Sequence, residues 1–136
     1  MITWEEPEII YNTKDNFPMK EETFEIIGLC MEVHRGLGKG LLEVAYKDAL
    51  EHELKLNQIN FEREKKYEIE YKGIILPHYF VADFVINNII VEIKAQNGIS
   101  PDQQAQIINY LAISKSKVGL LINFGEASLK FKRYVL

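Results

Sequence analysis

The chain has 136 residues, 47% hydrophobic and 26% charged, which is the size and balance of one domain able to bury a core. A formal net charge of −4 excludes a protein that coats nucleic acid by bulk charge, but not one whose acidic site is neutralised locally by bound cations. The single cysteine, Cys30, excludes an internal disulfide and suits a reducing, cytoplasmic setting, and no apolar run approaches the ~18 residues of a membrane helix.

Residues 1 to about 20 read as an irregular arm ahead of one domain over 21–136. Ile2, Trp4, Ile9, Ile10 and Tyr11 are apolar enough to pack onto the body or onto a partner, a second copy included, and 12–18 reads as a linker. Met1 to Glu8 carries acids and a proline, unlike a targeting sequence. The spacing of Phe24, Ile27, Met31 and His34 predicts a helix over about 23–35, broken by Gly36, Gly38 and Gly40. A second helix is predicted over about 41–56. Its apolar face is Leu42, Ala45, Tyr46, Ala49 and Leu50; Lys47, Asp48, Glu51, His52 and Lys55 form its outer face. Residues 61–71 alternate as a strand, and Lys72-Gly73 makes a turn. Strands over 79–86 and 89–95 flank Asn87-Asn88, a hairpin pair because Asn tolerates positive φ. Pro101 opens a helix to about Ser114. Val118 to Phe124, apolar but for Asn123, reads as a central strand buried on both faces, and 129–135 forms the last strand. The class is α/β in the mixed α+β sense.

The 79–95 hairpin carries the chemistry. A two-residue loop puts Ile86 opposite Ile89 and Asp83 opposite Glu92, and strand periodicity then places Asp83, Glu92 and Lys94 on one face. Their neighbours are almost all aliphatic or aromatic. Two opposed carboxylates at about 5 Å repel by roughly 3 kcal/mol at an effective dielectric of about 20. Mg²⁺ or Mn²⁺, which prefer carboxylate oxygens, would offset that cost, and Lys94 would offset part of it without a metal. The plainer reading is an open sheet face with Lys94 as an ordinary salt-bridge partner.

Asp followed one strand later by Glu-x-Lys resembles the core motif of the PD-(D/E)XK nuclease superfamily. His34 to Tyr46 resembles the signature of its GxxExxY branch, with Gly40, Glu43 and Tyr46 at the naming positions. Tyr71-Lys72-Gly73, Ala82-Asp83, Val91 to Lys94, Ala105 to Leu111 and Gly119 to Gly125 match in order and spacing. Lys39 stands where the family often has proline.

The resemblance implies a restriction-endonuclease-like core, α-β-β-β-α-β, with a central mixed sheet flanked by helices. It implies metal ligation by Glu43, Asp83, Glu92 and the backbone carbonyl of Ile93, and catalysis by Asp83, Glu92, Lys94 and Gln106. Gln106, with Tyr110 one turn later, matches a Q-x-x-x-Y element that would hold Lys94 or a substrate phosphate. His34 and Tyr46 are auxiliary candidates. The expected activity is Mg²⁺- or Mn²⁺-dependent hydrolysis of nucleic-acid phosphodiesters, DNA favoured over RNA. Lys65, Lys66, Lys115, Lys117, Lys130, Lys132 and Arg133 are the available substrate cations. The rival is a non-catalytic nuclease fold that binds nucleic acid or a protein.

Overall fold

A computed structural model describes residues 17–136, and residues 3–5 by their backbone. The elements are β1 (Thr3–Glu5), α1 (Lys20–Leu37), α2 (Glu43–Leu56), β2 (Phe61–Tyr71), β3 (Ile74–Ile86), β4 (Ile89–Lys94), α3 (Pro101–Ser114), β5 (Val118–Asn123) and β6 (Lys130–Val135). They build one six-stranded mixed sheet in the order β1-β6-β5-β4-β3-β2. The β4–β5 and β1–β6 pairs are parallel and the rest antiparallel. Helix α3 is the crossover between parallel β4 and β5, the connection that parallel neighbours need.

Each face of the sheet has its own core. Ile26, Ile27, Cys30 and Val33 of α1 and Tyr46, Leu50 and Leu54 of α2 pack on Phe84, Ile86, Val91, Ile93, Leu120 and Ile122. On the opposite face Ile107 and Leu111 of α3 pack on Phe80, Ala82, Ile90, Leu121 and Tyr134. The central strands β4 and β5 are thus covered on both sides, which is why they read as continuous apolar runs. Among the described residues, no helix is long and apolar enough to cross a membrane.

Several expectations need correction. Thr3–Glu5, read as part of an irregular arm, is a strand beside β6. Strand β3 begins at Ile74 rather than Tyr79, because Lys72 (φ 46°) and Gly73 (φ 81°) make a tight two-residue turn that pairs Tyr71 with Ile74. A register shift opposite Glu68–Glu70 absorbs Leu76-Pro77-His78, where proline has no N–H to give, and hides the strand from an alternation count. Arg133, counted among the surface cations, is fully buried; it donates to the Pro18 carbonyl at 2.6 Å and stacks on Phe17. The packing of Ile2, Trp4, Ile9, Ile10 and Tyr11, and residues 12–16 of the linker, lie outside the described side chains.

The ends of β4 and β5 are clamped together. Buried Asn123 accepts from the Gln96 and Gly125 amides and donates to the Gln96 carbonyl, while the Phe124 amide bonds the Lys94 carbonyl. Gly125 lies so close that a Cβ there would overlap the backbone of Ala95 and Gln96. Gly125→Ala should therefore destabilise the fold by about 1–3 kcal/mol in urea unfolding, the usual cost of overpacking. A change below about 0.5 kcal/mol would show that the clamp yields.

Candidate active site

The Asn87-Asn88 loop does have two residues, both at positive φ (51° and 66°), and it sets Ile86 opposite Ile89, Val85 opposite Ile90 and Phe84 opposite Val91. At the next pair the backbone ladder stops and side chains replace it. The Asp83 amide donates to Glu92 Oε2 at 2.7 Å, and the Ile93 amide donates to Asp83 Oδ2 at 2.8 Å. Each acid thus caps an amide of the neighbouring strand, which fixes both carboxylates at the point where β3 and β4 part.

The faces also change here. Phe84 and Ile86 pack toward α1 and α2, whereas Phe80 and Ala82, of the same parity, pack toward α3. Strand β2 reverses at the matching place: Phe61 joins the α1/α2 core and Tyr67 the α3 core. Between them Glu64, at φ 55°, drops out of a ladder that pairs Arg63 with Phe84 and Lys65 with Ala82. Simple periodicity from the turn therefore describes Glu92 and Lys94 but not Asp83, which sits at the reversal.

Glu92 is buried, with 6% of its surface exposed. Burial first, and then the neighbouring Asp83 charge, push its carboxyl up to about 8, against smaller downward pulls that include Lys94. On α3, the Tyr110 hydroxyl is pushed up by burial and then by the charges of Glu92 and Asp83, with Gln106, one turn earlier, pulling it down by less. Tyr110 also stacks on Phe80, ring centroids 4.0 Å apart, and Phe80 stacks on Tyr67.

From the other side Lys47 of α2 reaches Asp83 Oδ1 at 3.0 Å and Glu64 Oε1 at 2.8 Å. Burial alone would lower the Lys47 ammonium, but its hydrogen bonds to Glu64 and Asp83 outweigh that, so the net shift is upward. Assigning Lys47 to the outer face of its helix was wrong: the side chain is only 13% exposed. Helical periodicity gave no signal for it, because its partner is a sheet residue brought round by the strand reversal.

The family model of the PD-(D/E)XK nuclease superfamily matches residues 20–134. The chain belongs to that superfamily. A solved structure, that of the protein SSO0001, is similar at 25% identity with a TM-score of 0.52, covering 65% of this chain. The match spans about half of that protein, 47% of its length. No curated protein matches the sequence. The mixed sheet flanked by helices is consistent with the restriction-endonuclease-like fold.

In this PD-(D/E)XK domain the predicted residues do not all converge. Asp83 and Glu92 meet, with Lys94 following Glu92 at the end of β4. Glu43 opens α2 one turn before Lys47 and is half-buried. Among the described residues no three His, Cys, Asp or Glu side chains come close enough to form a metal cluster. The donor chemistry nevertheless fits a hard divalent ion: two adjacent carboxylates, one of them raised by burial and then by its neighbour's charge, offer oxygen ligands only.

The auxiliary candidates are engaged elsewhere. Tyr46 donates to the Gly38 carbonyl at 2.7 Å, accepts from the Leu41 amide and stacks on Phe124, so it braces the turn that presents Glu43. His34 Nε2 bonds the Glu126 carbonyl at 3.0 Å.

The Glu92 shift sets a pH dependence. Between the ordinary value of 4.5 and about 8, the folded metal-free chain keeps a proton on Glu92 that the unfolded chain has lost. The contribution is therefore fully present below about 4.5 and declines as pH rises toward 8. Subtracting the unfolding free energy of Glu92→Gln from that of the wild type, both in chelator, should leave a difference that falls over this range. A flat difference would mean that Glu92 ionises normally in the fold.

Proposed function

We propose that this chain is a divalent-metal-dependent nuclease of the GxxExxY branch, acting on DNA phosphodiester bonds in preference to RNA. The observation that carries the reading is the exchange at the strand fork. Asp83 and Glu92 are each held by a backbone amide of the other strand, with Lys94 two residues after Glu92.

In this reading Asp83, Glu92 and the Ile93 carbonyl hold Mg²⁺ or Mn²⁺, with Glu43 extending the acidic wall from α2. When bound, the ion supplies Lewis acidity toward water and toward a phosphoryl oxygen. The chain's own groups do the positioning. The bonds from the Ile93 and Asp83 amides keep the two carboxylates from rotating away, so orientation is set before substrate arrives. Lys94 holds the attacking water in line and offsets the charge that grows on the phosphoryl oxygens. Gln106 and Tyr110, on the α3 side of Glu92, offer neutral donors to a non-bridging phosphate oxygen, or oxygen acceptors to Lys94.

A second reading, a nuclease fold that binds without cutting, is favoured by one observation: Lys47 already neutralises Asp83. Metal-induced stabilisation separates the two. A site that binds at ~100 times its Kd gains about 2.7 kcal/mol, seen as a raised Tm in Mn²⁺ that Asp83→Ala abolishes. Absence of any shift supports the binding module.

Cleavage of labelled DNA and RNA in Mg²⁺ or Mn²⁺ tests the activity. Asp83→Ala, Glu92→Ala and Lys94→Ala should each slow it at least about tenfold, equivalent to about 1.4 kcal/mol of barrier. Wild-type rates in any one of them remove that residue from the mechanism.

A further inference from the structure

Lys47 places a cation of the protein's own against the acid that is assigned above as a metal ligand. Its ammonium lies 3.0 Å from Asp83 Oδ1 and 2.8 Å from Glu64 Oε1. Asp83 Oδ2 is already engaged by the Ile93 amide, so Oδ1 is the oxygen directed toward α2. The Lys47 and Asp83 side chains are 13% and 14% exposed, which limits the water that would otherwise screen the pair.

Glu64 supplies the independent observation. It holds a left-handed backbone, φ 55°, in the middle of a strand. A non-glycine residue in that conformation stores strain that persists only where its surroundings enforce it. What holds its carboxylate is Lys47, with Arg63 Nε at 4.0 Å and Arg63 itself bound to Asp48 and Glu51 of α2. The strained residue therefore faces the ammonium and gives it a second anion to rest on.

We propose that Lys47 is a built-in counter-ion that competes with the divalent metal for Asp83, and that Glu64 is the acceptor retaining the ammonium once the metal has taken Asp83. The proposal rests on the metal-site reading above. Lys47 and Glu64 are positioning residues. The exchange is one ion pair for another: Lys47 stays protonated, its bond to Asp83 Oδ1 breaks, its bond to Glu64 remains, and the metal gains Oδ1. Metal affinity is then set by this competition as well as by the ligands.

The test is Mn²⁺ titration of the full chain by calorimetry, without substrate. Lys47→Met keeps the stem and removes the charge, and it should bind Mn²⁺ at least about threefold more tightly than wild type, while Lys47→Arg stays within about twofold. Glu64→Gln leaves the ammonium only Asp83 and should weaken binding at least about threefold, an effect that shrinks below about twofold in the Lys47→Met background. Lys55→Met, which breaks an exposed pair farther along α2, should change nothing. Equal or weaker binding by folded Lys47→Met overturns the proposal. If circular dichroism shows that variant unfolded, Glu64→Gln decides: unchanged or tighter binding overturns it. Asp83→Ala separates the two readings. Should it bind as wild type does, the metal site is misassigned and the proposal falls with it. Should wild type not bind, binding gained by Lys47→Met supports the counter-ion, and none gained overturns both.

Discussion

Two carboxylates standing in for backbone carbonyls hold the centre of this molecule together. Where β3 and β4 part, their amides lose their partners in the ladder, and an unpaired buried amide costs on the order of 1–3 kcal/mol. Asp83 and Glu92 meet that need reciprocally. The fork is satisfied by acidic side chains in a nearly dry place, where burial pushes Glu92 toward its protonated form and any charge the pair carries demands compensation. Lys47 is one answer on the α2 side; the downward pull of Lys94 on Glu92 is another at the end of β4. Structure and chemistry are coupled at that point: the bonds that close the sheet are the ones that orient the acids.

The surrounding packing explains why the fork stays in place. Beyond it, β4 and β5 are tied by Asn123 and by the close approach of Gly125, so the segment carrying Ile93 and Lys94 has little freedom. On the α3 side Tyr67, Phe80 and Tyr110 form a three-ring stack that runs from β2 across β3 to the helix above Glu92. On the α2 side a string of ion pairs links Asp48, Glu51, Arg63, Glu64, Lys47 and Asp83. Exposed pairs of this kind contribute little individually. Here they matter by converging on one half-buried ammonium.

Much of this was legible in the residues. Asn87-Asn88 named the loop, the loop named the register as far as Phe84 and Val91, and Pro101 marked the start of α3, where Ser100 and Gln103 are found to form a capping box. The run of 118–124, apolar but for Asn123, announced a central strand. What stayed hidden at the site itself has one cause. Reading faces by twos assumes every strand residue is extended, and Glu64 is not. Its left-handed φ, matched by the loss of pairing at Asp83, turns the strands over and delivers Glu64 to Lys47. Glu is an unexpected choice for that conformation, which favours Gly or Asn, so no residue preference pointed to the reversal. The early start of β3 was masked similarly, by Pro77 at a register shift.

Among the described residues, strand β2 lies at the rim of the sheet with one side unpaired. Such a rim invites further strands to add to it, and a flat apolar one seeds self-association. This one is charged at most of its positions, in an unbroken run from Glu62 to Lys66 and again at Glu68 and Glu70, and its ladder is interrupted at Glu64. The same irregularity that turns an acid toward α2 thus also roughens the sheet margin against stacking of copies edge to edge, a safeguard against aggregation that a straighter, less charged strand would lack.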